Sequence, residues 1–190
     1  GDLTHTYSGG AGTKSISISG TGINGFRFGN GGDKLKMLEV SNTGNLDITT
    51  NQTFFGCTNL TWLAITAPTI TTTDLTSTFR NCTNFNGNIN NWDVSNVTNM
   101  DFMFTSASNF NQPLNSWNMG VVTDLDFMFS SAFNFNQPLN SWNVSNATTM
   151  RFMFNSATSF DQDISSWDIN QVTNFSSFMS SATLSTTNYD

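Results

Sequence analysis

Apolar residues return along this chain at a fixed step, with polar residues filling the space between them. Trp92, Trp117, Trp142 and Trp167 are evenly spaced, and Phe104, Phe129 and Phe154 keep the same step. So do Ala107, Ala132, Ala157 and Ala182, then Phe110, Phe135 and Phe160, then Leu114, Leu139 and Ile164. Self-similarity at a fixed period marks a protein built from stacked copies. The register extends upstream, because "FRNCTNF" (Phe79–Phe85) follows "FFGCTNL" (Phe54–Leu60) by that same step. The copies are therefore expected to fill residues 46–190, with residues 1–45 as a small N-terminal β cap.

Within one copy Val97, Met100, Phe104 and Ala107 fall at i, i+3, i+7 and i+10, the spacing of one helical stripe. Ser95 or Asn96 just ahead is suited to cap such a helix. The remainder, "FNQPLNSW" (Phe110–Trp117), has a single apolar residue, Leu114, among polar neighbours and reads as a short strand. One strand and one short helix cannot bury both apolar faces alone, whereas stacked copies bury them against each other. The expected fold is thus an α/β solenoid, a stack of 25-residue strand-plus-short-helix repeats. Its parallel strands would lie about 4.8 Å apart, and ladders of Trp, Phe and Leu or Ile would form the core.

Composition sharpens this picture. Only 10% of residues are charged while 18 Phe, 8 Met and 5 Trp supply a large apolar load, so the polar surface must come from Asn, Ser and Thr. A net charge of −7 leaves no basic face for phosphates, which excludes nucleic acid as a partner and disfavours anionic membrane surfaces. Membrane insertion is not expected, since no apolar run approaches the roughly 20 residues that span a bilayer.

Candidate chemistry is sparse. His5 is the only histidine, so neither a nucleophilic triad nor a histidine-based metal site can be assembled, and neither enzymatic activity nor a cofactor is expected. The pairs Asp124/Asp126 and Asp161/Asp163 read as solvated surface carboxylates, because Asp163 stands at the repeat position of Pro113 and Pro138. Cys57 and Cys82 share one repeat position, which continues as Ala107, Ala132 and Ala157. Two readings fit them, a compact buried residue or a disulfide between neighbouring copies. If Leu114, Leu139 and Ile164 point inward, alternation turns their neighbours outward. That gives a candidate ligand-binding strip of Asn88, Asn90, Pro113, Asn115, Pro138, Asn140, Asp163 and Ser165. Neutral amides and hydroxyls there suit sugars or peptide backbones better than phosphates.

The stretch "SWNVSNATTMRFMFNSATSFDQDISSWDI" (Ser141–Ile169) resembles the repeat of BspA-like surface proteins, also known as a mycoplasma-lipoprotein-type repeat. The resemblance implies a leucine-rich-repeat-like, right-handed solenoid in a secreted or surface-anchored protein. It further implies adhesion to a glycan or protein of a host or neighbouring cell through the exposed strand face. "DLTHTYSGGAGTKSISISG" (Asp2–Gly20) resembles the last strands of a PKD-like module at His5, Thr6, Tyr7 and Gly20, which makes the cap a remnant of one. "LSTTNYD" (Leu184–Asp190) is similar to the start of the family's closing cap and is expected to be incomplete. A second expectation is structural: a stalk, spacer or filament unit whose partners are other modules of a larger protein.

Overall fold

The sequence period becomes a register of backbone pairs. In the computed structural model, which describes residues 23–24, 29, 31, 39–41, 46–182 and 185, Asp74, Asn99, Asp124, Thr149 and Asn174 are joined in succession by parallel bridges. Five short strands precede this ladder or lie at its start: β1 (Ile23–Asn24), β2 (Glu39–Val40), β3 (Leu46–Ile48), β4 (Thr61–Trp62) and β5 (Thr69–Ile70). They form a three-stranded sheet in the order β1-β3-β5 and a two-stranded sheet of β2 and β4, both parallel. Ile23 faces Leu46 and Asp47 faces Thr69, so these copies are shorter than those that follow.

The expected leucine-rich-repeat-like, right-handed α/β solenoid is overturned. Among the described residues there is no helix, and the strands are two or three residues long in two small parallel sheets. Both assignments within a copy fail. The segment with helical spacing carries the bridge residue Asn99 and then turns through 101–106, while Phe110–Trp117 is irregular to Leu114 and turns at 115–116.

Hydrogen bonding supplies the reason. In an α-helix each amide reaches back to the carbonyl four residues earlier. Here alternate amides leave the copy altogether: Met100, Phe102, Phe104 and Ser106 donate to the carbonyls of Asp124, Asp126, Met128 and Ser130 at 2.8–3.0 Å. The amides between them, of Met103, Thr105 and Ala107, donate to Met100, Phe102 and Phe104 and close tight turns. Positive φ at Phe102 (57°) and Ser106 (58°) breaks any right-handed helix. The apolar stripe marks which residues are inside, since Val97, Met100, Phe104 and Ala107 are all fully buried, but a chain of turns buries them.

Like residues stack on like across copies. The rings of Phe79, Phe104, Phe129 and Phe154 form one column with centroids 5.4–5.6 Å apart. Those of Phe85, Phe110, Phe135 and Phe160 form a second at 5.6–6.0 Å. Trp117, Trp142 and Trp167 make a third, and each indole donates to a carbonyl of the preceding copy, that of Ile89, Leu114 and Leu139 respectively, at 3.0–3.1 Å. Burial of these rings removes large apolar areas from water, and the hydrogen bonds fix their register. At the head of the stack Trp62 lies against the backbone of Gly87, where a Cβ would come within 2.1 Å of the Trp62 Cβ.

The PKD-like resemblance over Asp2–Gly20 lies outside the described residues, as does Leu184–Asp190 except for Ser185. β1 and β2 lie ahead of Leu46 yet pair with β3 and β4.

Candidate functional site

The strip expected from alternation sits where each copy turns. Of the residues expected to point inward, Leu114 and Leu139 are fully buried, as is Ile89 one copy earlier, while Ile164 is half-buried. Beside them, Asn88, Asn115, Pro138, Asn140, Asp163 and Ser165 are exposed, while Asn90 and Pro113 are half-buried. The backbone carrying them is irregular, so the strip is a row of turns and not the strand face of a sheet. Pro113 and Pro138, which have no amide to donate, fit such a backbone.

Bonds between copies hold these turns in line. The hydroxyls of Ser141 and Ser166 donate to the carbonyls of Asn115 and Asn140 at 3.1 Å. With the same offset, the Asn91 side-chain amide donates to the Ile65 carbonyl at 3.0 Å. Ile65 therefore belongs to the column of Asn90, Asn115, Asn140 and Ser165, and Leu63 to that of Asn88, Pro113, Pro138 and Asp163. Sequence reasoning started the strip at Asn88 and missed both. The available signal was "TWLAI" (Thr61–Ile65), whose Leu63 and Ile65 fall on outward columns one full period before Asn88 and Asn90.

At this end the strip opens into a cleft of about 570 Å³, lined by Trp62–Ile65, Asn88, Asn90, Asn91 and Ser116. Leu63 is 61% and Ile65 90% exposed, so both large aliphatic side chains reach solvent on the outward columns of one copy. No charged side chain lines the cleft. The amide of Asn90 donates to the Ser116 hydroxyl at 3.0 Å, while the Ser116 backbone amide donates back to Asn90 Oδ1 at 3.0 Å. Beneath, the buried Trp92 indole has no hydrogen-bond partner. Its counterparts reach the carbonyl of the buried aliphatic residue one copy earlier, a place that Ala64 of the cleft wall takes here. The arrangement can accept an uncharged ligand that has an apolar part and groups able to hydrogen-bond amides.

The carboxylates are distributed differently from expectation. Asp126 is not a solvated surface group: it is 2% exposed and paired with the Arg151 guanidinium at 2.6 Å. The backbone amide of Arg151 also donates to Asp126 Oδ1, so this pair ties neighbouring copies together. Half-buried Asp101 has its carboxyl pushed up to about 7 by burial, then by the charges of Asp124 and Asp126. Burial likewise raises Asp124. Exposed Asp163 is held below the usual carboxylate range by hydrogen bonds from Ser165. Among the described residues no group of three or more His, Cys, Asp or Glu is placed to hold a metal ion.

Residues 49–190 match the family model described as Mycoplasma protein of unknown function, DUF285. No curated protein and no solved structure matches the chain. The match spans most of the sequence, and the chain belongs to this family.

Proposed function

We propose that this DUF285 member is an extracellular or cell-surface repeat module that binds an uncharged ligand, a glycan or a polypeptide, along its row of turns. The observation that carries the reading is the cleft at the head of the strip, where exposed Leu63 and Ile65 meet the amides of Asn88, Asn90 and Asn91. Exposed aliphatic residues beside neutral donors and acceptors characterise recognition surfaces more than inert ones. A net charge of −7 adds nothing that would attract phosphates.

Binding of the whole chain to a glycan array and to immobilised matrix proteins tests this. Two double variants run beside it, Leu63→Ser with Ile65→Ser for the cleft and Asn115→Lys with Asn140→Lys for the polar part. Saturable binding lost in either variant, with an unchanged circular dichroism spectrum, supports the proposal and locates the contact. Binding by neither the parent chain nor the variants moves the assignment to a structural stalk or spacer. One observation favours that second reading: Asn111, Asn136 and Asp161 each donate a backbone amide to the Asn of the preceding copy at 2.9–3.0 Å, a uniform ladder suited to stiffness.

A further inference from the structure

The two cysteines lie in adjacent copies, on a part of the backbone where those copies are bonded directly. Ahead of Cys57, Phe54 and Gly56 donate amides to Thr78 and Arg80 at 3.0 and 2.8 Å. Just beyond it, Asn84 donates to Thr58 at 3.2 Å. Parallel segments bonded this way lie roughly 4.8 Å apart. The Phe54 and Phe79 rings, three residues before each cysteine, agree with centroids 5.4 Å apart. Disulfides need Cα atoms about 4.4–6.8 Å apart, and a helical segment that would spread the copies wider is absent among the described residues. The Cys82 side chain also points into the copy that holds Cys57. The Cys82 thiol donates to the Phe54 carbonyl at 2.9 Å, and that carbonyl accepts the backbone amide of Cys57 at 3.0 Å. Both residues are fully buried, with no third cysteine to compete.

We propose that Cys57 and Cys82 are a disulfide site, closed by a low-molecular-weight disulfide such as oxidised glutathione. The Cys57 Sγ–Cys82 Sγ bond forms as the oxidant's S–S bond breaks. Two electrons and two protons pass from the protein thiols to the oxidant, which leaves as two thiols. The native chain exchanges slowly, because burial, and next the neighbouring Cys57, pushes the Cys82 thiol above its ordinary range and leaves little thiolate. Closure therefore belongs to folding, when the two segments meet before they are sealed. The link closes one full copy and ties together two neighbouring copies near the start of the regular part of the chain.

The test refolds the whole reduced chain in a mixture of reduced and oxidised glutathione, and in reducing buffer alone. The expected product is monomeric, lighter by two hydrogen atoms, and closed to alkylation in denaturant. Non-reducing peptide mapping gives a single crosslink between Cys57 and Cys82. Its Tm lies roughly 5–10 °C above that of the reduced form. A Cys82→Ala variant, which extends the existing alanine column, folds in both buffers with the same Tm. Natively folded protein whose two thiols still alkylate, or each carry glutathione, overturns the proposal. A Tm rise of equal size in Cys82→Ala overturns it as well.

Discussion

Single residues here carry conformations that their side chains do not favour. Phe102, Phe127 and Phe152 all have φ of 53–57°, and Ser106, Ser131 and Ser156 have φ of 58–59°. A left-handed backbone costs an L-residue about 1–2 kcal/mol, and glycine almost none. The serine column already holds Gly56 and Asn81, the residues best suited to such a place. Ser131→Gly should therefore raise stability by about 0.5–1 kcal/mol in urea unfolding, whereas Ser131→Val should lower it. The phenylalanines recover their strain through stacking, with Phe102, Phe127 and Phe152 centroids 4.5 and 4.8 Å apart and the Arg80 guanidinium 4.4 Å from the Phe102 ring. Asp101 contributes to the pH response. With its folded-state pKa near 7 against an ordinary 3.8, the native state keeps a proton that the unfolded chain has released between those values. Stability from this group is complete below the lower value and is lost as pH rises through the upper one. Asp124 shifts in the same direction, while exposed Asp93 and Asp163 shift oppositely and are screened by solvent. Thermal melts should show Tm rising as pH falls from 8 to 5. Asp101→Asn should flatten that slope, and an unchanged slope would assign the effect elsewhere.

Between residues and molecule stands the copy, whose positions were more legible than its backbone. Columns read from spacing alone, Phe104/Phe129/Phe154 and Leu114/Leu139 among them, are buried columns in the structure. Of the pair expected to face outward around Leu114, Asn115 is exposed and Pro113 half-buried, because the backbone turns at 115–116 and does not alternate as a strand would. Backbone conformation was not legible. Met100, Phe104 and Ala107 fit a helical stripe because a succession of tight turns returns a side chain inward every three or four residues, as a helix does. Nothing in that period reveals that every second amide bonds to another copy. Asp126 departs from expectation for another reason: repeat positions were compared along the column of Asp163, whereas the column of Asp126 holds Arg151 one period later, and the two pair. Tryptophan gives the copy its sharpest test. Trp142 and Trp92 are both 3% exposed, but only the former donates an indole hydrogen bond, to the Leu114 carbonyl at 3.0 Å. Trp142→Phe should therefore cost about 1–2 kcal/mol more than Trp92→Phe in equilibrium unfolding. Equal costs would mean that ring packing alone holds this column.

For the whole molecule, each described copy buries its columns against its neighbours, so stability should grow with the number of such junctions. The regular part of the chain follows the arithmetic of repeat arrays, in which each unit gains its core from the next. Deleting one full copy, Asn115–Leu139, joins Leu114 to Asn140 and leaves every column in register. That shortened chain should fold cooperatively with a lower Tm. Removing one residue fewer shifts all later columns by one position and should abolish cooperative unfolding. Few charges, 10% of residues, enter this balance, so added salt should move Tm little beside either deletion. What holds the copies together is where the backbone amides go. Scalar couplings across hydrogen bonds, measured by NMR on isotopically labelled chain, read each donor and acceptor directly. Here the Phe104 amide should couple to the carbonyl carbon of Met128, and Phe129 to that of Met153, matching bonds of 2.8 and 2.9 Å. Coupling of the Phe104 amide to the carbonyl of Met100, the partner an α-helix would supply, would mean that the copy is helical after all.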